Sequence, residues 1–409
     1  MIRLLHLALL PIFVTSCVMT VHEAQKAPAP LKKQAIKWPA WKPADPSPDK
    51  SVQNEFFPQF IKTGRATVIT YGERPDGREH FLVMSRREEK QPEGIGAIRQ
   101  CFLPQSSFAG PCPLQVHTNT LFADDRKWFY PAYFFRSTFF DLYPSLTPKA
   151  KGLLFYHTSI MLLSVAEKQV IGRFRKKGWN VVVALPPDSL YRTPLPVLRS
   201  SRGTIDEAAD LVANDMDRHY LEQASSTRVA LEYLKRTRPE WLNGPKVLMG
   251  TSAGTFAMPA EILMNPDWDA VIFVSGGTNL LSLYESGSAG LFKNTLTWAR
   301  QFRKQPPTGV NRMFTDEEYH RIYRRAAKRT RFHSGALASG IRDYPILMIA
   351  GTVDRIMPDE QALELHRLLG QPERWTAPLG HHLIAVQLII EVGRINRWLD
   401  QVISDTSGE

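Results

Sequence analysis

The feature that most constrains this chain is an alternation of two patterns from residue 152 onward. Short apolar runs rich in β-branched residues recur, separated by segments with helical periodicity. The runs are Gly152-Leu153-Leu154-Phe155-Tyr156, Asn180-Val181-Val182-Val183-Ala184-Leu185, Lys246-Val247-Leu248-Met249-Gly250, Ala270-Val271-Ile272-Phe273-Val274 and Tyr344-Pro345-Ile346-Leu347-Met348-Ile349-Ala350. Each is continuous rather than alternating, as expected of a strand buried on both faces of a parallel sheet. A helix is expected over 160–177. Another starts at Thr204-Ile205-Asp206-Glu207, a capping-box signature, with Ile205, Ala209, Val212, Met216 and Tyr220 at helical spacing after it. Strands alternating with helices predict an α/β fold, a mostly parallel sheet with helices on both faces.

Residues 51–150 are less regular. Strands are expected over 66–71 and 80–84, as an antiparallel lead-in to the sheet. Between Trp128 and Tyr143, nine of sixteen residues are aromatic, which reads either as a buried strand with its packing or as a wall of an apolar substrate pocket. With 409 residues, 22% charged and 43% hydrophobic, the chain is not of the disordered class. Its net charge of +11 favours anionic surroundings but does not identify nucleic acid, and no nucleic-acid partner is expected. Three cysteines are too few for a disulfide scaffold, and no Cys/His spacing suits zinc. Neither a metal nor a cofactor is expected.

The N-terminus has the layout of an export signal. Residues 1–17 read MIRLLHLALLPIFVTSC, a short apolar stretch too brief for a permanent membrane-spanning helix. Its end, Val14-Thr15-Ser16-Cys17, resembles the lipobox of bacterial lipoproteins. That resemblance implies cleavage before Cys17, acylation of its thiol and a lipid-anchored place in the bacterial cell envelope, on the periplasmic or surface side. Residues 18–50 are rich in proline and read as an extended tether. With Cys17 acylated, Cys101 and Cys112 remain, and an oxidising compartment would let them form a disulfide worth about 3 kcal/mol. The expected organisation is a signal over 1–17, a tether over 18–50, N-terminal strands and an insertion over 51–150, and the α/β core over 151–403.

The sharpest chemical signal is Gly250-Thr251-Ser252-Ala253-Gly254. A bare G-x-S-x-G is weak, but this one ends an apolar strand and opens a helical segment, as a nucleophile elbow requires. Pro259 is an objection, since proline distorts a helix interior. A serine needs a base, and the base an orienting acid. Asp354 follows the fifth apolar run, where open sheets place their sites. The base is His381 or His382, after the strand-like Arg374-Trp375-Thr376-Ala377-Pro378-Leu379. Over 150–403 the chain resembles the α/β-hydrolase superfamily. There the base usually follows a glycine directly, and Gly380 precedes His381, so the resemblance implies Ser252 as nucleophile, His381 as base and Asp354 as acid. It further implies an oxyanion hole from the N–H groups of Ala253 and Thr158. Tyr156-His157-Thr158-Ser159 stands where the superfamily often has His-Gly, and His157 is read as structural.

Residues 278–342 are too long for an ordinary connection and imply a helical cap. A second capping box, Thr315-Asp316-Glu317-Glu318, begins a helix with Tyr319, Ile322, Tyr323 and Ala326 as its apolar stripe. From Lys293 to Arg331 eleven Lys/Arg stand against three Asp/Glu. Arg324, Arg325, Lys328 and Arg329 could therefore meet anionic lipid head groups. The function expected is a membrane-tethered serine hydrolase of small-molecule or lipid carboxylic esters. Peptidase and acyl-transfer chemistry on the same three residues, and a non-catalytic binding lipoprotein, are the alternatives.

Overall fold

The computed structural model describes residues 19–24, 47–48, 59–63, 66–73, 79–86, 135–158, 165–185, 203–285 and 314–407, with single helical positions at 296, 300, 303 and 304. The five apolar runs form β7 (Gly152–His157), β8 (Trp179–Leu185), β9 (Lys246–Thr251), β10 (Ala270–Val274) and β11 (Ile346–Gly351), and β12 (Glu373–Ala377) follows. All six are parallel, in the spatial order β8-β7-β9-β10-β11-β12. Because β7 lies between β8 and β9, the chain leaves it in one direction and later returns on its other side. The carboxyl ends of β7 and β9 are therefore neighbours, with His157 opposite Gly250.

The less regular N-terminal region supplies the antiparallel part. The strand β6 (Phe135–Tyr143) pairs antiparallel with β8, and beyond it follow β5 (Glu79–Arg86), β4 (Ala66–Glu73), β3 (Gln59–Thr63) and β2 (Ser47–Pro48). The aromatic segment thus ends in a strand, with Phe140, Leu142 and Tyr143 buried. At the opposite edge, β1 (Thr20–His22) pairs antiparallel with β12, giving twelve strands in one sheet among the described residues.

Helices cover both faces. On one lie α1 (Val165–Lys176) and the C-terminal helix, joined by Val170, Ile171, Phe174, Ile384, Leu388 and Ile395 in one core. The expected helix over 160–177 is described only from Val165. On the other face lie the second half of α2 (Ile205–Thr237), then α3 (Met258–Met264) and, further on, a helix over Asp359–Leu368. At about 50 Å, α2 is more than twice as long as any of the six parallel strands. Its second half packs on the sheet through Ala230, Tyr233 and Leu234. Its first half runs into the cap, where Ala209, Val212, Met216 and Tyr220 share a third core with α4 (Leu280–Glu285) and α5 (Asp316–Arg329). A short α6 (Ser334–Leu337) leads back to β11; α7 is Asp359–Leu368 and α8 is His381–Ser407.

Two expectations change here. The stretch 18–50, read as a tether from its prolines, carries a strand at each end, and these lie on opposite edges of the sheet. Thr20 and Val21 are β-branched strand formers, and with His22 they shield the otherwise open edge of β12; Met19 is buried in the core. The four cap cations are not all turned outward either. Arg325 pairs with Asp206, and Arg329 with both Asp206 and Asp210, on the first turns of α2. Of the set proposed to meet lipid, two are thus engaged in holding α5 to α2.

Candidate active site

The turn after β9 is dictated by its two glycines. A Cβ on Gly250 would lie 2.4 Å from Met258 Sδ, and one on Gly254 would lie 2.7 Å from the His157 carbonyl oxygen and 2.8 Å from that of Thr158. Between them Ser252 takes φ of 53°, a left-handed conformation that is uncommon outside glycine. This sharp reversal lifts the hydroxyl off the strand. A 3₁₀ turn, Ser252–Thr255, follows, clasped by Thr255 Oγ1 donating to the Ser252 carbonyl at 2.6 Å. Only then does α3 begin, so Pro259 falls in its first turn, where proline is tolerated. The objection from Pro259 disappears because the elbow and the helix are separate elements.

Asp354 sits in the turn after β11. Its Oδ1 accepts the N–H groups of Ile356 and Met357, each at 2.8 Å. Its Oδ2 is 2.7 Å from His381 Nδ1. His381 opens α8 just after β12, and its Nε2 is 2.8 Å from Ser252 Oγ. With Asp354 ionised and acceptor-only, Nδ1 carries the ring proton and Nε2 is left to accept from the serine hydroxyl. The carboxylate is 1% exposed and the imidazole 11%, so the acid is sealed while the ring reaches solvent. His382 is exposed and stacks edge-on against His381 at 5.8 Å. Of the two neighbouring histidines, the structure brings His381 to Ser252.

The oxyanion expectation divides. Ala253 stands second in the 3₁₀ turn, where the first N–H groups have no partner within the turn. The Thr158 N–H, in contrast, donates to the Ala184 carbonyl at 3.2 Å. This corrects its assignment as an oxyanion donor. The β7–β8 ladder, in which His157 pairs with Ala184, extends one residue further than the sequence suggested and consumes that N–H.

Two polar groups behind the elbow were only half anticipated. His157, read as structural, is buried with Nε2 at 2.7 Å from Glu261 Oε2; both side chains are essentially inaccessible. The approach is close but poorly aligned, and neither ring nitrogen of His157 nor either carboxylate oxygen of Glu261 has a hydrogen-bond partner among the described residues. Glu261 was missed. Its signal was a single carboxylate in the otherwise apolar Met258–Met264. On the other face, Tyr156 Oη lies 2.9 Å from Thr251 Oγ1 and donates to Glu167 Oε1 at 3.2 Å. Burial, and then the nearby Glu167 charge, push the Tyr156 phenol well above its ordinary pKa, so it keeps its proton. Thr251 immediately precedes Ser252, so this chain braces the strand end that carries the serine.

Among the described residues, no group of three or more His, Cys, Asp or Glu is arranged to hold a metal ion. Cys17, Cys101 and Cys112 lie outside the described residues.

No protein-family model matches the chain, and no curated protein matches it. Solved structures with a similar course include an acetyl xylan esterase from Paenibacillus sp. R4, at 10% identity and a TM-score of 0.46, covering 82% of this chain and 88% of that one. Acetyl xylan esterase 1 from Thermoanaerobacterium sp. JW/SL YS485 is 13% identical, with a TM-score of 0.40, over 85% and 87% of the two chains. The Pyrococcus furiosus esterase Pf2001 is 13% identical, with a TM-score of 0.40, over 65% and 88%. The fold is read from the strands themselves. Their order β5-β6-β8-β7-β9-β10-β11-β12, with β6 antiparallel, helices on both faces and a helical insertion after β10, is that of the α/β-hydrolase fold.

Proposed function

We propose that this chain is a serine hydrolase of carboxylic esters, exported and held to the membrane by acylation of Cys17. The observation that carries the reading is the unbroken line Asp354 Oδ2–His381–Ser252 Oγ, at 2.7 and 2.8 Å, on a serine held in a left-handed turn. In the reaction Ser252 Oγ attacks the ester carbonyl while its proton passes to His381 Nε2. Asp354 keeps the imidazolium oriented and stabilises its charge. The negative oxygen of the tetrahedral intermediate is met by the Ala253 N–H. On collapse, the alcohol leaves with the proton from His381, and the acyl group stays on Ser252. Water then repeats the sequence, giving its proton to His381, and the acid is released. Esters with apolar acyl groups are favoured by Val353 and Leu383, exposed apolar side chains beside Asp354 and His381.

A fluorophosphonate probe should label the wild-type chain at Ser252 and leave Ser252→Ala unlabelled. A panel of acyl esters beside aminoacyl amides should show turnover of the esters. Labelling of Ser252→Ala, or turnover of amides alone, overturns the reading. Cys17→Ala should move the protein from the membrane to the soluble fraction, and peptide mapping without reductant should find Cys101 joined to Cys112.

A further inference from the structure

The strand β1 limits where a lipid on Cys17 can sit. Thr20 pairs with Thr376, Val21 with Trp375 and His22 with Arg374. Because β12 ends at Ala377 and β1 is antiparallel to it, the chain running back from Thr20 heads for the carboxyl end of β12. At that same end of the sheet Ser252, Asp354 and His381 converge. The strand is fastened up to its start: Met19 is 3% exposed in the core, and His22 Nε2 lies 3.2 Å from Thr376 Oγ1. Cys17 precedes Met19 by two residues, a reach of about 7 Å. A flexible tether over 18–50 would instead wander about 30 Å. Four strand spacings separate β1 from β9, which puts Ser252 roughly 20 Å from β1.

A second observation lies on the same rim. Three large apolar side chains are exposed there: Val165, which opens α1 after β7; Val353, beside Asp354; and Leu383, in the first turn of α8. Arg355, also exposed, adds a cation. Exposed apolar residues scattered singly need no explanation. These three stand on the one rim toward which the N-terminal chain runs.

We infer that the carboxyl rim of the sheet is the membrane-facing surface, held there by the lipid through β1, so that the enzyme draws acyl esters from the bilayer itself. The inference rests on the proposed acylation of Cys17 and on the hydrolase reading.

The test uses the full acylated protein in vesicles of phosphatidylcholine and phosphatidylglycerol. A benzophenone amino acid is placed either at Val353 or at Asp267, an exposed residue on the opposite rim beside the start of β9. Lipid adducts should form several-fold more at 353; equal or reversed yields overturn the orientation. Next, a flexible Gly/Ser segment of about twenty residues is inserted between Val18 and Met19, which dilutes the site relative to the bilayer. Hydrolysis of a long-chain ester embedded in the vesicles should fall several-fold, with hydrolysis of a short soluble ester unchanged. An unchanged rate on the embedded ester overturns the inferred substrate source. Failure of the wild type on the soluble ester would mark failure of the hydrolase reading, while the adduct pattern still decides orientation. Retention of Cys17→Ala in the membrane fraction would remove the anchor and this inference with it.

Discussion

Two histidine–carboxylate pairs adjoin the same serine turn. His381–Asp354 and His157–Glu261 have the same contact distance, 2.7 Å. The first is completed on both sides: two backbone N–H groups hold the carboxylate, and the free ring nitrogen meets Ser252. The second is closed off and so poorly aligned that both ring nitrogens of His157 and both carboxylate oxygens of Glu261 lack a hydrogen-bond partner among the described residues. Proximity of an imidazole to a carboxylate is therefore not what makes a base. A third partner and a path to solvent are needed, and only the pair at the start of α8 has both.

That contrast can be broken in order of effect. His381→Ala, like Ser252→Ala, should lower kcat/KM by roughly 10⁵–10⁶-fold, since members of such a unit fail together. His157→Ala should not behave this way once corrected for folded protein. Asp354→Asn should keep the fold and reduce turnover by about 10⁴-fold, because an amide allows the wrong tautomer on the ring; steady-state kinetics beside a melting curve separates the two effects. Glu261→Ala should cost about 3 kcal/mol in a denaturant titration, with kcat of the folded fraction within a few-fold of wild type. Because that pair is poorly aligned, His157→Met combined with Glu261→Leu should recover much of the loss. A double mutant as unstable as the sum of its singles would show that His157 has a polar role this geometry does not explain.

Smaller effects sharpen the same picture. Gly254→Ala forces a Cβ into the carbonyl oxygens of His157 and Thr158. It should cost about 1–3 kcal/mol by thermal melting and also lower kcat, because the serine turn shifts. His382→Ala, at an exposed position, should change stability by less than about 0.5 kcal/mol and leave kcat/KM nearly unaltered. Loss of activity there rather than at position 381 would overturn the choice of base.

Much of this was legible in the sequence for a local reason. The parallel strands carry their burial in consecutive residues, and Ser252, Asp354 and His381 each follow one of them. What was not legible depends on distant partners. The bond from Arg329 to Asp206 spans 123 residues, so the basic run looked like a free surface. The Thr158 N–H looked available because the sequence does not say how far a ladder with β8 continues. Glu261 was visible only as an oddity in an apolar helix, and its partner His157 lies at the end of β7, about a hundred residues earlier. Thr20–His22 is three residues long beside a proline-rich stretch, and composition averaged over that stretch hid a strand that only the edge of β12 explains.

The length of α2 has a consequence for cooperativity. One uninterrupted helix is shared by the core under the sheet and the core inside the cap, so its backbone hydrogen bonds run through both without a break. Loosening the cap would fray α2 from Ile205 inward, toward the residues that pack beneath β9. The cap and the sheet cannot then melt as independent bodies. Heat should produce a single calorimetric transition, and amide exchange in the first half of α2 should slow whenever an occupant of the site stabilises α4 and α5.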